Sequence, residues 1–117
     1  MGRLTTHVLD TAKGCPAGGI RIELHRFGDG HDDLVAEAVT NADGRTDAPM
    51  LDGASFKPGE YQLVFHAGAY FDDIGLDLPE PKFLDQVVIR FGISDAQAHY
   101  HVPLLLSPFG YSTYRGS

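Results

Sequence analysis

Ile20-Arg21-Ile22-Glu23-Leu24-His25 places an apolar residue at every second position, and the same period of two returns at Tyr61, Leu63 and Phe65 and at Val87, Ile89, Phe91 and Ile93. In an extended chain successive side chains point to opposite faces, so each of these stretches is a strand with one buried side. Working outward, residues 4–9, 34–40, 99–106 and 110–115 carry further strand patterns. Turn clusters such as Asn41-Ala42-Asp43-Gly44 and Lys57-Pro58-Gly59-Glu60 separate them. Only the segment from Ala67 to Leu84 breaks the alternation, and within it Phe71-Asp72-Asp73-Ile74 fits a short helical turn ahead of Pro79-Glu80-Pro81. Seven or eight short strands spaced by turns predict an all-β sandwich with one small helix.

A length of 117 residues suits one domain over 1–117, and 43% hydrophobic with 21% charged residues lies in the globular range. Sixteen acidic against nine basic residues give a formal charge of -7, and no Lys/Arg run could neutralise adjacent phosphates, which argues against a nucleic-acid partner. No apolar run approaches the roughly 18 residues of a membrane span, and the first residues lack a signal-peptide profile. Met1-Gly2-Arg3-Leu4-Thr5-Thr6 fits the loose myristoylation pattern, but a strand begins at once. The single cysteine, Cys15, cannot form an internal disulfide. A cytoplasmic protein without a membrane partner is expected.

The six histidines differ in value. His25 and His66 fall on polar faces of their strands and His31 lies in an Asp/Gly-rich turn, so solvated side chains explain all three. In the first strand Leu4, Thr6 and Val8 can face a core, which sends Thr5, His7 and Leu9 to the other side. In 99–106, Tyr100, Val102, Leu104 and Leu106 make one apolar face, while His101, Pro103 and Leu105 make the opposite one. A strand apolar on two sides, with a proline that removes a ladder donor, needs a second packing partner, and oligomerisation supplies it.

The His99-X-His101 spacing suits zinc, with His7 as a third ligand, yet no cysteine or carboxylate nearby completes a shell; hydrogen-bonded interface histidines are the plainer alternative. Arg45 follows a turn, where a surface salt bridge is the default. The aromatic tail Tyr111-Ser112-Thr113-Tyr114-Arg115-Gly116-Ser117 reads as a docked strand. Ser112 and Ser117 hint at a serine nucleophile, but no Gly-X-Ser-X-Gly elbow is present.

Four separated motifs occur in order: Leu4-Thr5-Thr6-His7-Val8-Leu9-Asp10 with Gly14-Cys15-Pro16-Ala17; Gly44-Arg45-Thr46-Asp47; His99-Tyr100-His101-Val102-Pro103-Leu104-Leu105-Leu106-Ser107-Pro108; and the terminal Tyr111 to Ser117. Together they resemble the transthyretin-related 5-hydroxyisourate hydrolases from end to end. The resemblance implies a transthyretin-like eight-stranded sandwich. It also implies a homotetramer built as a dimer of dimers, with active sites in the channel where dimers meet. The implied reaction opens the N1–C6 amide bond of 5-hydroxyisourate without a cofactor or metal. By the same resemblance His7, Arg45 and His101 are catalytic and Tyr114 and Ser117 bind substrate. Arg115, one residue on in the strand from Tyr114, is expected to point away and anchor the tail. Two alternatives stay open at this point: a small-molecule carrier using the same channel, and a zinc-dependent hydrolase.

Overall fold

The computed structural model describes residues 2–116. The chain runs through β1 (Arg3–Asp10), β2 (Cys15–Pro16), β3 (Arg21–Gly28), β4 (His31–Val39), β5 (Leu51–Asp52), a 3-10 turn at Gly53–Ser55 and β6 (Gly59–His66). It continues through α1 (Ala67–Asp73), β7 (Gln86–Ile93), β8 (Tyr100–Ser107) and β9 (Gly110–Thr113). One sheet has the order β2-β1-β8-β9 with β5 also on β1, and the other has the order β4-β3-β6-β7. Two sheets facing each other over a shared core make the all-β sandwich that the alternation predicts.

The core is filled by the period-two sets. Ile22, Leu24, Leu63, Phe65 and Val87 from one sheet meet Leu4, Val8, Leu104 and Leu106 from the other, all buried. Thr6 lies among the buried residues of β1 at 1% exposure, and its hydroxyl donates to the Val102 carbonyl at 2.7 Å, which removes the cost of burying it.

The β1–β8 pairing is parallel and joins segments nearly a chain length apart, with Thr5 opposite His101 and His7 opposite Pro103. Because both strands turn the same parity inward, both turn their histidines outward. The face of this sheet that leaves the core therefore carries Thr5, His7 and Leu9 beside His101, Pro103 and Leu105. Leu9 and Leu105 are half-buried there, while Pro103 is already buried within the single chain.

Four expectations change. The fourth strand begins at His31, which the sequence placed in a turn ahead of a strand at 34–40, and ends at Val39. The helix begins at Ala67, four residues before the expected turn, because Ala67, Tyr70 and Phe71 share one helical face and bury it. The last strand ends at Thr113, two residues short of the expected 115. His25 and His66 are half-buried, not solvated: each Nε2 meets the Glu23 carboxylate, at 3.1 and 2.5 Å. These hydrogen bonds, from His66 and then His25, hold the Glu23 carboxyl below its ordinary range. His25 Nδ1 also lies 2.7 Å from Asp32, a close charge contact without hydrogen-bond alignment. Among the described residues no helix is long and apolar enough to cross a membrane.

One buried polar contact ties the helix to the first strand. Asp10, 2% exposed at the end of β1, accepts the Tyr70 hydroxyl at 2.7 Å on one carboxylate oxygen and the Lys13 backbone N–H at 2.9 Å on the other. Burial, and then the Asp10 carboxylate, push the Tyr70 hydroxyl well above its ordinary pKa, so it stays a donor at any working pH. Tyr70→Phe strips one partner from a buried carboxylate. Urea unfolding should register a loss of about 1–3 kcal/mol, the usual cost of an unsatisfied buried acceptor.

Candidate active site

His7 and His101 are brought together by the parallel register. Their rings stand 6.5 Å apart between centroids, tilted by 40°. Both line a cleft of about 540 Å³ whose walls are Arg3, Thr5, His7, Leu9, Arg45, His99, His101, Pro103, Tyr114 and Gly116. That volume suits a small planar ligand. The chain carries a formal charge of -7, yet the described lining has two arginines, three histidines and no carboxylate. The cleft is a positive island on an acidic protein, so it favours an anion or a group that gains negative charge.

Arg45 arrives from a turn whose geometry the sequence dictates. The Asn41 side-chain oxygen accepts the Asp43 and Arg45 backbone N–H groups at 2.9 and 3.3 Å, an Asx turn. Gly44 sits at φ +74°, and a Cβ there would come within 2.3 Å of the Val8 carbonyl. Glycine is what lets the turn press on β1, where the Gly44 carbonyl accepts Val8 N–H at 2.8 Å and Arg45 bridges to His7. The arginine is thereby held against the strand.

The tail enters from β9. Gly116 lies opposite His101, the position to which the β8–β9 register leads when continued beyond Thr113–Leu104. The ladder lapses in between, at Tyr114 and Arg115, because Pro103 has no N–H to give, and its carbonyl accepts the Thr113 hydroxyl at 2.7 Å instead. Pairing resumes where Gly116 N–H donates to the His101 carbonyl at 2.7 Å. A Cβ on Gly116 would lie 2.7 Å from His101 Cδ2, so glycine is required for the backbone to approach the ring.

Tyr114 is 60% exposed and lines the cleft. Arg115 turns the other way, its guanidinium 4.1 Å over the Tyr100 ring and 3.2 Å from the His99 carbonyl. The expectation for Ser117 lies outside the described residues.

Four of the five expected site residues, His7, Arg45, His101 and Tyr114, thus share one cleft. Sequence reasoning did not single out Thr5 or Arg3; strand alternation, which puts both on the His7 side of β1, was the available signal. Among the described residues no three His, Cys, Asp or Glu side chains converge as a metal ion requires, so His7, His99 and His101 do not form the zinc shell considered above.

Burial first, and then the Arg45 charge, lower the His7 pKa below 6.5, with contacts to Asp43 pulling the other way. His101 is lowered by burial, then by Arg45, then by His7. Each imidazole is neutral near pH 7 and free to accept or relay a proton.

Residues 4–116 match the sequence model of the HIUase/Transthyretin family. The chain belongs to this family. A 5-hydroxyisourate hydrolase of Pseudomonas aeruginosa is 63% identical over 117 residues, which cover 100% of this chain and 93% of that protein. Among solved structures, that of a 5-hydroxyisourate hydrolase from Klebsiella pneumoniae superposes with a TM-score of 0.83 at 38% identity, covering 100% of both chains. The crystal structure of an (S)-allantoin synthase superposes with a TM-score of 0.94 at 50% identity. It covers 99% of this chain, which spans 44% of that longer protein.

The electrostatic argument has a direct check. In a proton NMR titration both cleft histidines should titrate below 6.5, and Arg45→Gln should raise both midpoints. Unmoved midpoints in the variant would show that the guanidinium does not act on the rings.

Proposed function

We propose that the protein hydrolyses 5-hydroxyisourate in purine catabolism, giving 2-oxo-4-hydroxy-4-carboxy-5-ureidoimidazoline. The observation that carries this reading is the pair of neutral imidazoles, His7 and His101, set beside the Arg45 cation in a cleft whose described lining has no carboxylate. The family and its hydrolase relatives supply the substrate.

The chemistry follows from those groups. One imidazole takes a proton from water as the water oxygen adds to C6, and the carbonyl oxygen gains a negative charge that the Arg45 guanidinium offsets. Collapse of the adduct breaks the C6–N1 bond, N1 receives the proton held by that imidazolium, directly or relayed through the second imidazole, and the product carries a new carboxylate. His7 and His101 share the acid and base roles, Arg45 holds the oxyanion, and Tyr114 and Ser117 fix the substrate in the cleft. No step requires a cofactor. A carrier reading of the same channel would leave the paired histidines beside Arg45 without a task.

We read residues 1–117 as one hydrolase domain that works in the cytoplasm as a homotetramer, a dimer of dimers whose channel is closed by opposed clefts. Support for assembly comes from the cleft-bearing face, which carries half-buried Leu9 and Leu105 and an exposed Tyr114.

An ultraviolet assay on freshly made 5-hydroxyisourate tests the activity. His7→Asn and His101→Asn should each lower turnover by roughly 10²- to 10⁴-fold, the usual scale for a lost general acid or base, with the fold intact by circular dichroism. Near-parental rates in both variants would remove the acid–base assignment.

Assembly is tested separately by Leu105→Glu, which puts a charge on the face proposed to meet the other dimer. Sedimentation should show dimers with an unchanged melting profile and little activity. Fully active dimers would place the working site within a single cleft.

A further inference from the structure

Thr5 stands on the cleft side of β1 between Arg3 and His7, directly across the parallel ladder from His101. Its hydroxyl oxygen lies 2.8 Å from His101 Nδ1, a bond between residues 96 apart in sequence. We propose that Thr5 is a positioning residue of the hydrolase: its hydroxyl engages His101 Nδ1, fixes the orientation of the ring and leaves Nε2 as the nitrogen that serves the substrate. This rests on the hydrolase reading above.

A neutral imidazole carries one N–H and one bare nitrogen, and a hydroxyl can accept from the one or donate to the other, so Thr5 can hold Nδ1 in either tautomer. With Nδ1 engaged by Thr5, Nε2 is the only ring nitrogen left for chemistry. Threonine suits this task because its β-branch restricts χ1, so the strand backbone aims the hydroxyl. The opposite edge of the ring is held as well, since the Gly116 backbone approaches Cδ2 so closely that no Cβ fits between them. The imidazole is thus gripped at Nδ1 by β1 and at Cδ2 by the tail.

The charged and titratable groups around it are Arg3 and His7 from β1, Arg45 from the turn, His99 from β8 and Tyr114 from the tail. None of these groups hydrogen-bonds Nδ1, while Thr5 does. The orientation of the ring therefore answers to the hydroxyl, and its net charge answers to burial and then Arg45.

Two substitutions separate the hydroxyl from the shape of the side chain. Thr5→Val keeps the β-branch and volume but removes the hydroxyl; Thr5→Ser keeps the hydroxyl and removes the methyl. Nitrogen-15 NMR of His101 in the intact protein reads the hydrogen bonding of Nδ1 without any substrate. The parent and Thr5→Ser should show the same Nδ1 shift at pH 7.5, and Thr5→Val a displaced one. In the ultraviolet assay Thr5→Val should lose about tenfold in kcat, the worth of one hydrogen bond, with KM little changed, while Thr5→Ser stays near the parent. An equal Nδ1 shift in all three proteins, or a loss of kcat in Thr5→Ser as deep as in Thr5→Val, would overturn the assignment. A parent that failed to turn over 5-hydroxyisourate would sink the hydrolase reading alone, and the NMR comparison would still decide the role of Thr5.

Discussion

The parallel pairing of β1 with β8 is the constraint on which the rest depends. It joins two strands from opposite ends of the chain through seven opposed residue pairs, from Leu4–Tyr100 to Asp10–Leu106. One residue of slip would turn a buried leucine outward and a histidine into the core, so the burial of Leu4, Val8, Leu104 and Leu106 enforces the register. That same register sets His7 near His101 and Thr5 against it. Packing energy on one face of the sheet therefore fixes the geometry of the cleft on the other.

Three further elements converge on this pair of strands, each by a device suited to its own local sequence. The Asn41–Arg45 turn uses an Asx hydrogen bond and a left-handed glycine to lean on Val8. The tail uses β9 pairing and a glycine to reach His101, and Arg115 reinforces it by lying over Tyr100. The Tyr100 hydroxyl in turn accepts backbone N–H groups of Ser94 and Asp95 at 3.0 and 3.1 Å, so the tail is braced against the β7–β8 connection. Tyr70 and Asp10 secure the far end of β1. Braced on these sides, the groups that line the cleft are held in place by the frame around them.

Much of this was legible in the sequence because alternation is a local signal. The sides taken by His7 and His101 follow from the identities of their immediate neighbours, and the turn before Arg45 announces itself through Asn41 and Gly44. What alternation cannot convey is which strand lies beside which. Thr5 is an ordinary strand residue until His101 is known to lie across from it, and Glu23 gives no local hint that it will be flanked by His25 along its own strand and His66 on the next. The helix was half legible: Ala67, Tyr70 and Phe71 have helical spacing, but the strand that runs directly into them masks the start. Family resemblance supplied the substrate, which no spacing of residues specifies.

Pro103 shows how a missing atom can shape a cavity. Had the residue opposite Tyr114 carried an N–H, β9 could have closed on β8 without interruption, and the last residues would lie flat as one more regular strand. The proline holds a two-residue gap open between Thr113 and Gly116, and into that gap the backbone turns Tyr114 toward the cleft and Arg115 toward Tyr100. The tail is thus sewn to the sheet at two points with a slack stitch between them. The tail borders the cleft at the place where a hydrogen bond of the ladder cannot form.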